Sequence, residues 1–112
     1  MEEKIEKLFR ALNIIAMNYL FEQKHNNIDD IKELVPQIQE FVLWFLEKNK
    51  FGIEEELYSQ MQAYLLQVLE DILSALKQGD QVLLHDAVTY GLMDYLELFV
   101  ELGQEEKEND NL

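Results

Sequence analysis

The helical spacing of apolar residues most constrains what this chain can fold into, because it recurs in four segments separated by short polar breaks. Residues three and four apart share one face of an α-helix, so each segment predicts an amphipathic helix. In the first segment the pattern predicts a helix from Glu2 to Lys24. Its apolar positions are Ile5, Leu8, Leu12, Ile15 and Tyr19. Four Gly and one Pro in 112 residues also argue against a turn-rich β protein.

The second segment predicts a helix that carries apolar residues from Ile28 to Phe45 at the same spacing. Asn27 precedes this run, and its side chain can cap the first turn by accepting from an exposed amide. Pro36 lies inside the run, and proline cannot donate the backbone hydrogen bond that a helix interior requires. Pro36 should therefore either kink the helix or split off a short first turn.

The third segment predicts a helix from Ile53 to about Gln78, and the fourth carries apolar residues from Leu84 to Leu102. Between them, Gly79 suits the left-handed backbone that ends a helix, and Asp80 suits the cap of the next one. Short connections favour antiparallel neighbours. The sequence therefore predicts an all-α fold, an antiparallel up-down four-helix bundle.

The length of 112 residues fits one domain. We predict that residues 1–103 form the bundle and that 104–112, which are acidic and lack an apolar pattern, form a disordered tail. The charged, periodic N-terminus is typical of a first helix and not of a signal peptide. The chain has no cysteine, which fits a reducing compartment, and no apolar run of the ~20 residues that span a bilayer. A soluble cytoplasmic protein is the expectation.

The net charge of −14 is spread unevenly along the chain. Residues 1–50 carry nine acidic and seven basic side chains, a net charge of −2, whereas residues 51–112 carry fourteen acidic and two basic ones, a net charge of −12. Such an acidic half repels phosphate backbones and anionic lipid surfaces, because binding to either needs clustered Lys and Arg. Neither nucleic acid nor membrane is expected as a partner.

Two histidine motifs are the candidates for reactive chemistry. Glu22 and His25 have the three-residue spacing that di-iron bundles use, but such bundles need two such pairs and two further glutamates. His85 and Asp86 are adjacent, so their side chains point about 100° apart on a helix and do not meet. We expect His85 to be a border histidine, hydrogen-bonded to a tyrosine or carboxylate of a neighbouring helix. No metal, cofactor or catalytic residue is predicted.

Gly91 lies on the apolar stripe of the fourth segment, although glycine costs roughly 1 kcal/mol relative to alanine inside a helix. A close crossing with another helix would offset that cost, because a side chain would prevent the approach. The alternative interpretation is a cofactor that approaches the backbone at this position.

Several apolar residues fall outside the stripes that a simple bundle buries. Trp44 is predicted to project among charged residues of the second helix, with Leu43 to its side. In the first helix Ile14, Met17 and Phe21 form a second stripe opposite the core stripe. These residues need a cover, which can be the chain's own termini, a second copy or a partner. Large apolar residues in a polar surround are typical of interfaces. These five residues are the predicted interface.

Residues 75–96, ALKQGDQVLLHDAVTYGLMDYL, resemble a pattern of small uncharacterised helical proteins of Gram-positive bacteria, in which a Gly-Asp turn precedes V-L-L-x-D and a tyrosine-containing helix. The matching positions are Gly79, Asp80, Val82, Leu83, Leu84, Asp86, Tyr90 and Leu92. The resemblance implies no particular activity.

The function predicted from these patterns is non-enzymatic protein binding, as a small adaptor, chaperone or regulatory subunit that forms a homodimer. The alternative is a carboxylate-rich helical-bundle enzyme that binds a metal or a small ligand.

Overall fold

The computed structural model describes residues 1–22, 26–49 and 51–100 and shows an all-α fold of four helices. The first three are α1 (Glu2–Phe21), α2 (Asn27–Glu47) and α3 (Glu55–Gln78). The fourth helix begins as α4 (Gln81–Ala87), widens into a π segment (Val88–Leu92) and returns to α-helix over 93–100. The predicted all-α, four-helix fold is confirmed. The antiparallel up-down order of the helices stays a prediction, and the predicted tail at 104–112 lies outside the described residues.

The helix ends follow local capping chemistry. Gly79 ends α3 with a left-handed φ of 69°, and the Asp80 carboxylate accepts from the Leu83 amide at 3.0 Å, so both predicted roles are confirmed. α1 ends at Phe21, three residues before the predicted end, because Glu22 leaves the helical conformation at φ −118° and ψ 82°.

The predicted capping role of Asn27 is wrong. Asn26 is the cap, since its Oδ1 accepts from the Ile28 amide at 2.9 Å. Asn27 is the first helical residue and only 1% exposed, and its Nδ2 donates to the Gln81 carbonyl at 3.1 Å. The side chain therefore ties the start of α2 to the start of α4, a contact between residues 54 positions apart.

α2 is one continuous helix through Pro36. Of the two predicted outcomes, the split of the helix is therefore wrong. Pro36 is exposed. Proline has no amide hydrogen, so the carbonyl of Lys32, four residues earlier, lacks its helical partner. Water can hydrate that carbonyl on the exposed side of the helix.

The helices pack around one core: α1 packs on α2, α2 on α3, and α3 on the fourth helix. The fourth helix also contacts α2 through α4 and α1 through the π segment. The predicted close crossing at Gly91 is present, because a Cβ added there would lie 2.9 Å from both Cγ atoms of Val68 in α3. The largest fully buried side chains include Phe41, Phe45, Leu12, Leu65, Ile72, Leu84 and Leu96.

Candidate protein-interaction surface

The outward side of α1 exposes a continuous apolar stripe. Ile14 lies two residues after the buried Leu12, which turns it about 160° away from the core. Ile14, Met17 and Phe21 follow at steps of three and four, and they are 58%, 48% and 78% exposed. The predicted stripe is therefore on the surface.

Leu20, which is 57% exposed, extends the stripe toward the fourth helix. Residues 11–21 contain no charged side chain, so the exposed surface of this part of α1 is uncharged. We name the four residues Ile14, Met17, Leu20 and Phe21 the α1 face. Leu20 was predicted to widen the core stripe, because it lies between the outer stripe and the core stripe on the helix, and its 57% exposure shows that this prediction is wrong.

Trp44 lies apart from the α1 face. Its ring lies 5.2 Å from the ring of Phe51 and 5.3 Å from that of Phe99, measured between ring centroids, and 6.1 Å from that of Phe41. Phe51 comes from the connection after α2, and Phe99 from the end of the fourth helix. The expectation that Trp44 projects uncovered among charged residues is thus wrong, because these two remote segments of the same chain pack on it and leave it half-buried.

Leu43 is 68% exposed, as predicted, but it is not part of the α1 face either. Phe41 faces α1, since it lines the groove between the two helices. Leu43 is two residues further on and points about 160° away from Phe41. The structure therefore brings together Ile14, Met17 and Phe21 and separates them from both predicted α2 residues.

The fourth helix exposes three further apolar residues outside the predicted interface, Val82 at 62%, Tyr90 at 68% and Leu98 at 46%. The same helix carries the exposed acids Asp86, Asp94 and Glu97 and no basic residue between 81 and 100. The available sequence signal was that Val82 and Tyr90 lie off the buried stripe of the fourth segment.

The first ten residues of α1 carry both acidic and basic side chains. Lys4 pairs with Glu40 of α2, and Arg10 pairs with Glu6 one turn earlier, each at 2.6 Å. Lys7 is exposed and makes no ion pair with any residue in the described ranges. Lys7 and Arg10 precede the uncharged stretch 11–21, and the exposed Glu2 and Glu3 begin the same helix, so α1 carries charges of both signs at one end and is apolar at the other.

A groove of about 430 Å³ lies between α1 and α2. Its floor is apolar, with Ile5, Leu8, Leu34 and Phe41 among its lining residues. Its rim carries the Lys4–Glu40 pair. The groove therefore presents apolar surface bordered by the charged side chains of Lys4, Lys7 and Glu40.

His85 lies in a narrow cleft where α1, α2 and the fourth helix meet. It is 8% exposed, and its ring lies 4.6 Å from that of Tyr19, a ring contact in place of the predicted hydrogen bond. Asp86 is exposed, so the adjacent acid does not share the cleft. The other polar residues of the cleft are Asn27 and Thr89, whose Oδ1 and Oγ1 atoms are buried with no hydrogen-bond partner among the described residues. The cleft thus holds an imidazole, an amide and a hydroxyl.

Two other candidate polar groups are the Glu22–His25 pair and Tyr95. His25, the partner of Glu22 in the candidate metal pair, lies outside the described residues. Within residues 1–22, 26–49 and 51–100 no three side chains of the metal-ligating types gather. Tyr95 donates to the Met61 carbonyl at 2.9 Å, and burial, with Tyr64 nearby, raises the pKa of its hydroxyl from 10.0 to about 12.

Comparison with known proteins finds no family, no curated protein and no solved structure that matches the chain. In the described part of the chain, no helix is both long enough and apolar enough to cross a membrane.

Proposed function

We propose that this chain is a protein-binding module, that the α1 face is its docking element, and that it self-associates as a homodimer. The observation that supports the proposal is the exposure of four large apolar side chains on consecutive turns of one helix, in a stretch without any charge. Apolar surface in contact with water is unfavourable by roughly 25 cal/mol per Å², so a contiguous patch of this kind favours a protein partner.

Self-association is the simplest way to cover the α1 face, because a two-fold dimer needs only one self-complementary surface. The binding helix is also well anchored for such a role. Its opposite side contributes Ile5, Leu8 and Leu12 to the core, each less than 5% exposed. A rigid helix presents its outer side chains without the entropy cost of ordering a flexible segment on binding.

The test is sedimentation equilibrium of the parent and of two charge-introducing variants. Met17→Glu places a carboxylate in the α1 face, and Leu66→Glu places one on α3. Met17 and Leu66 are 48% and 49% exposed, so the two substitutions are matched in their effect on the monomer. We expect a dimeric parent, a monomeric Met17→Glu variant and an unaffected Leu66→Glu variant, each with the helical circular dichroism of the parent. A parent that stays monomeric at millimolar concentration contradicts self-association.

The alternative, a metal- or small-ligand-binding enzyme, makes the opposite predictions. It requires about one or two bound transition-metal ions per chain after dialysis, and an activity that depends on Glu22, His25 or His85. Elemental analysis of the purified protein separates the two functions.

A further inference from the structure

A second apolar surface lies along the seam between α3 and the fourth helix. The ring of Tyr64 in α3 stacks on that of Tyr95 in the fourth helix, with 6.1 Å between the ring centroids, and the Tyr95 hydroxyl donates to the Met61 carbonyl at 2.9 Å. Tyr95 is only 7% exposed, whereas Tyr64 is 56% exposed. Tyr64 therefore covers Tyr95 and presents much of its own side chain to solvent.

Two leucines extend this surface beyond the tyrosine pair. Leu57 lies seven residues before Tyr64, which returns it to the same side of α3 two turns earlier. Leu98 lies one turn after Tyr95 in the α-helical stretch 93–100, about 60° further round the helix and on the side away from the buried Leu96. Leu57 and Leu98 are 50% and 46% exposed. We name the five residues Leu57, Met61, Tyr64, Tyr95 and Leu98 the seam patch.

The two helices run in opposite directions along this seam. Gly91 packs against Val68. Four residues later, Tyr95 bonds to Met61, which precedes Val68 by seven residues. A step forward along the fourth helix thus corresponds to a step backward along α3. Both leucines therefore lie on the same side of the tyrosine pair, toward the first turn of α3.

Acidic side chains border the seam patch. Glu56 precedes Leu57 in the first turn of α3, and Asp94 lies one turn before Leu98. Both acids are exposed. Between residues 51 and 100 the sequence has nine acidic side chains and one basic side chain. The surface is therefore apolar with an anionic border.

Lys48 and Lys77 are the described cations nearest to the seam patch in sequence, and both lie to one side of it. Lys77 is in the last turn of α3, about 20 Å of helix from Tyr64. Lys48 follows the end of α2, which meets α3 at Gln62, whose amide donates to the Leu46 carbonyl at 3.2 Å. Gln62 points about 160° away from Tyr64, so α2 ends on the other edge of α3.

Charge determines what can cover the seam patch. A second copy that docked through the same surface would oppose its acids to these, and like charges held opposite each other across an interface are costly. Anionic lipids and nucleic acid are repelled in the same way. A cationic protein segment, by contrast, is attracted by the acidic border while its apolar side chains cover the leucines and Tyr64.

We infer that the seam patch binds a cationic amphipathic helix of another protein. Such a helix lays its apolar side into an apolar groove on its partner. Its apolar side chains contact Leu57 and Leu98, and its basic side chains face Glu56 and Asp94. An arginine can also stack on the ring of Tyr64. No α1 residue belongs to this surface, so the inference does not rest on the proposed homodimer.

A model peptide tests the seam patch. The probe is a synthetic peptide of about 18 residues, or roughly five helical turns, with leucine along one face of the helix and arginine on the rest. Fluorescence anisotropy measures its binding to the full chain. One control peptide has glutamate in place of arginine, and a second has the composition of the arginine peptide in an order without an apolar face. We expect the arginine peptide to bind, the glutamate peptide not to bind, and the scrambled peptide to bind more weakly by roughly tenfold or more.

Two matched pairs of variants test where the peptide binds. Leu57 and Leu66 are 50% and 49% exposed, and Leu66 lies two residues after Tyr64, about 160° away from it on α3. Leu57→Ala should weaken binding by roughly 5- to 20-fold through loss of an apolar contact, whereas Leu66→Ala should leave the affinity within about twofold. Asp94→Asn and Glu70→Gln form the second pair, since each removes one exposed charge. The first should weaken binding by about 2- to 5-fold, and the second should leave it unchanged.

The outcomes separate this inference from the proposed function. Met17→Glu, in the α1 face, should bind the peptide as the parent does. Equal effects within each pair of variants would show that the peptide is attracted by the negative charge of the whole chain, which overturns the inference. A loss of binding in Met17→Glu but not in Leu57→Ala would place the peptide on the α1 face and overturn it as well. A parent dimer that Tyr64→Glu dissociates and Met17→Glu does not would make the seam patch a contact between copies, against the inference.

Discussion

Gly91 in the π segment packs directly against Val68 of α3, because a Cβ at position 91 would lie 2.9 Å from both Cγ atoms of that valine. Contacts below 3.0 Å require one side to move, and a β-branched valine has little rotameric freedom to do so. The absence of a side chain at position 91 therefore sets how closely the fourth helix approaches α3.

Gly91→Ala should lower the free energy of unfolding by about 1–2 kcal/mol, since the overpacking exceeds the gain in helix propensity. In a Val68→Ala background the same substitution should be neutral or stabilising by up to about 1 kcal/mol, because the clashing methyl groups are gone. Urea denaturation of the four members of this cycle measures the coupling. Equal effects of Gly91→Ala in both backgrounds would contradict the contact.

Asp80→Ala should destabilise the fold by about 1 kcal/mol through loss of the bond to the Leu83 amide. Asp80→Asn retains a capping oxygen and is the control, with an expected change near zero. Gly79→Val should cost more than Asp80→Ala, because a β-branched residue resists the positive φ of that position. Chemical denaturation ranks the three variants, and the reverse order would show that the turn does not limit stability.

Asn27→Asp should destabilise by about 3 kcal/mol at neutral pH, because it places a carboxylate with almost no exposure opposite the Gln81 carbonyl. The protonated acid can donate to that carbonyl, so the folded state holds the proton more tightly than the unfolded chain. Stability of this variant should therefore fall as pH rises through the ordinary carboxyl pKa of about 4. Asn26→Ser, at the exposed cap, keeps an oxygen that can accept from the Ile28 amide and adds no titratable group, so it should be close to neutral at every pH. Thermal melts across pH compare the variants at positions 26 and 27. If the stability of both variants depended on pH in the same way, the burial of Asn27 would be refuted.

The hydroxyl of Tyr95 should ionise at a higher pH than that of an ordinary tyrosine. Burial, followed by the influence of Tyr64, raises the pKa of its hydroxyl from 10.0 to about 12. Between these values the unfolded chain has lost the proton and the folded protein keeps it, so this group makes stability decrease as pH rises. Ultraviolet absorbance titration should show one late transition that Tyr95→Phe removes. A Tyr90→Phe variant, at an exposed position, should retain it.

Trp44→Glu should lower the free energy of unfolding by about 2 kcal/mol or more, because it removes the ring contacts with Phe51 and Phe99 and brings a charge to a half-buried position. Leu43→Glu, one residue away and mostly exposed, should change it by less than about 0.5 kcal/mol. Denaturation followed by circular dichroism compares the two. If Trp44→Glu proved as stable as the parent, the aromatic packing would contribute little.

The sequence by itself determined the features that arise from local interactions. Helical periodicity defined the four helices, because a buried stripe repeats every 3.6 residues regardless of what covers it. The turn at Gly79 and Asp80 was also predictable, since both residues bond to backbone groups within four positions of themselves. Periodicity likewise identified Ile14, Met17 and Phe21, because an outer stripe is recognisable from its own helix.

The tertiary structure alone decided the contacts that join distant segments. Trp44 is covered because Phe51 and Phe99 pack on it, and nothing local to α2 signals the arrival of a residue 55 positions later. Asn26 and Asn27 are chemically identical, yet one caps α2 and the other is buried, because only position 27 faces the start of α4. The π segment was not predicted by the periodicity of the sequence either. It contains Gly91, the residue that packs closely on Val68. Side-chain chemistry specifies which elements form, whereas the partners of a side chain depend on where the rest of the chain lies.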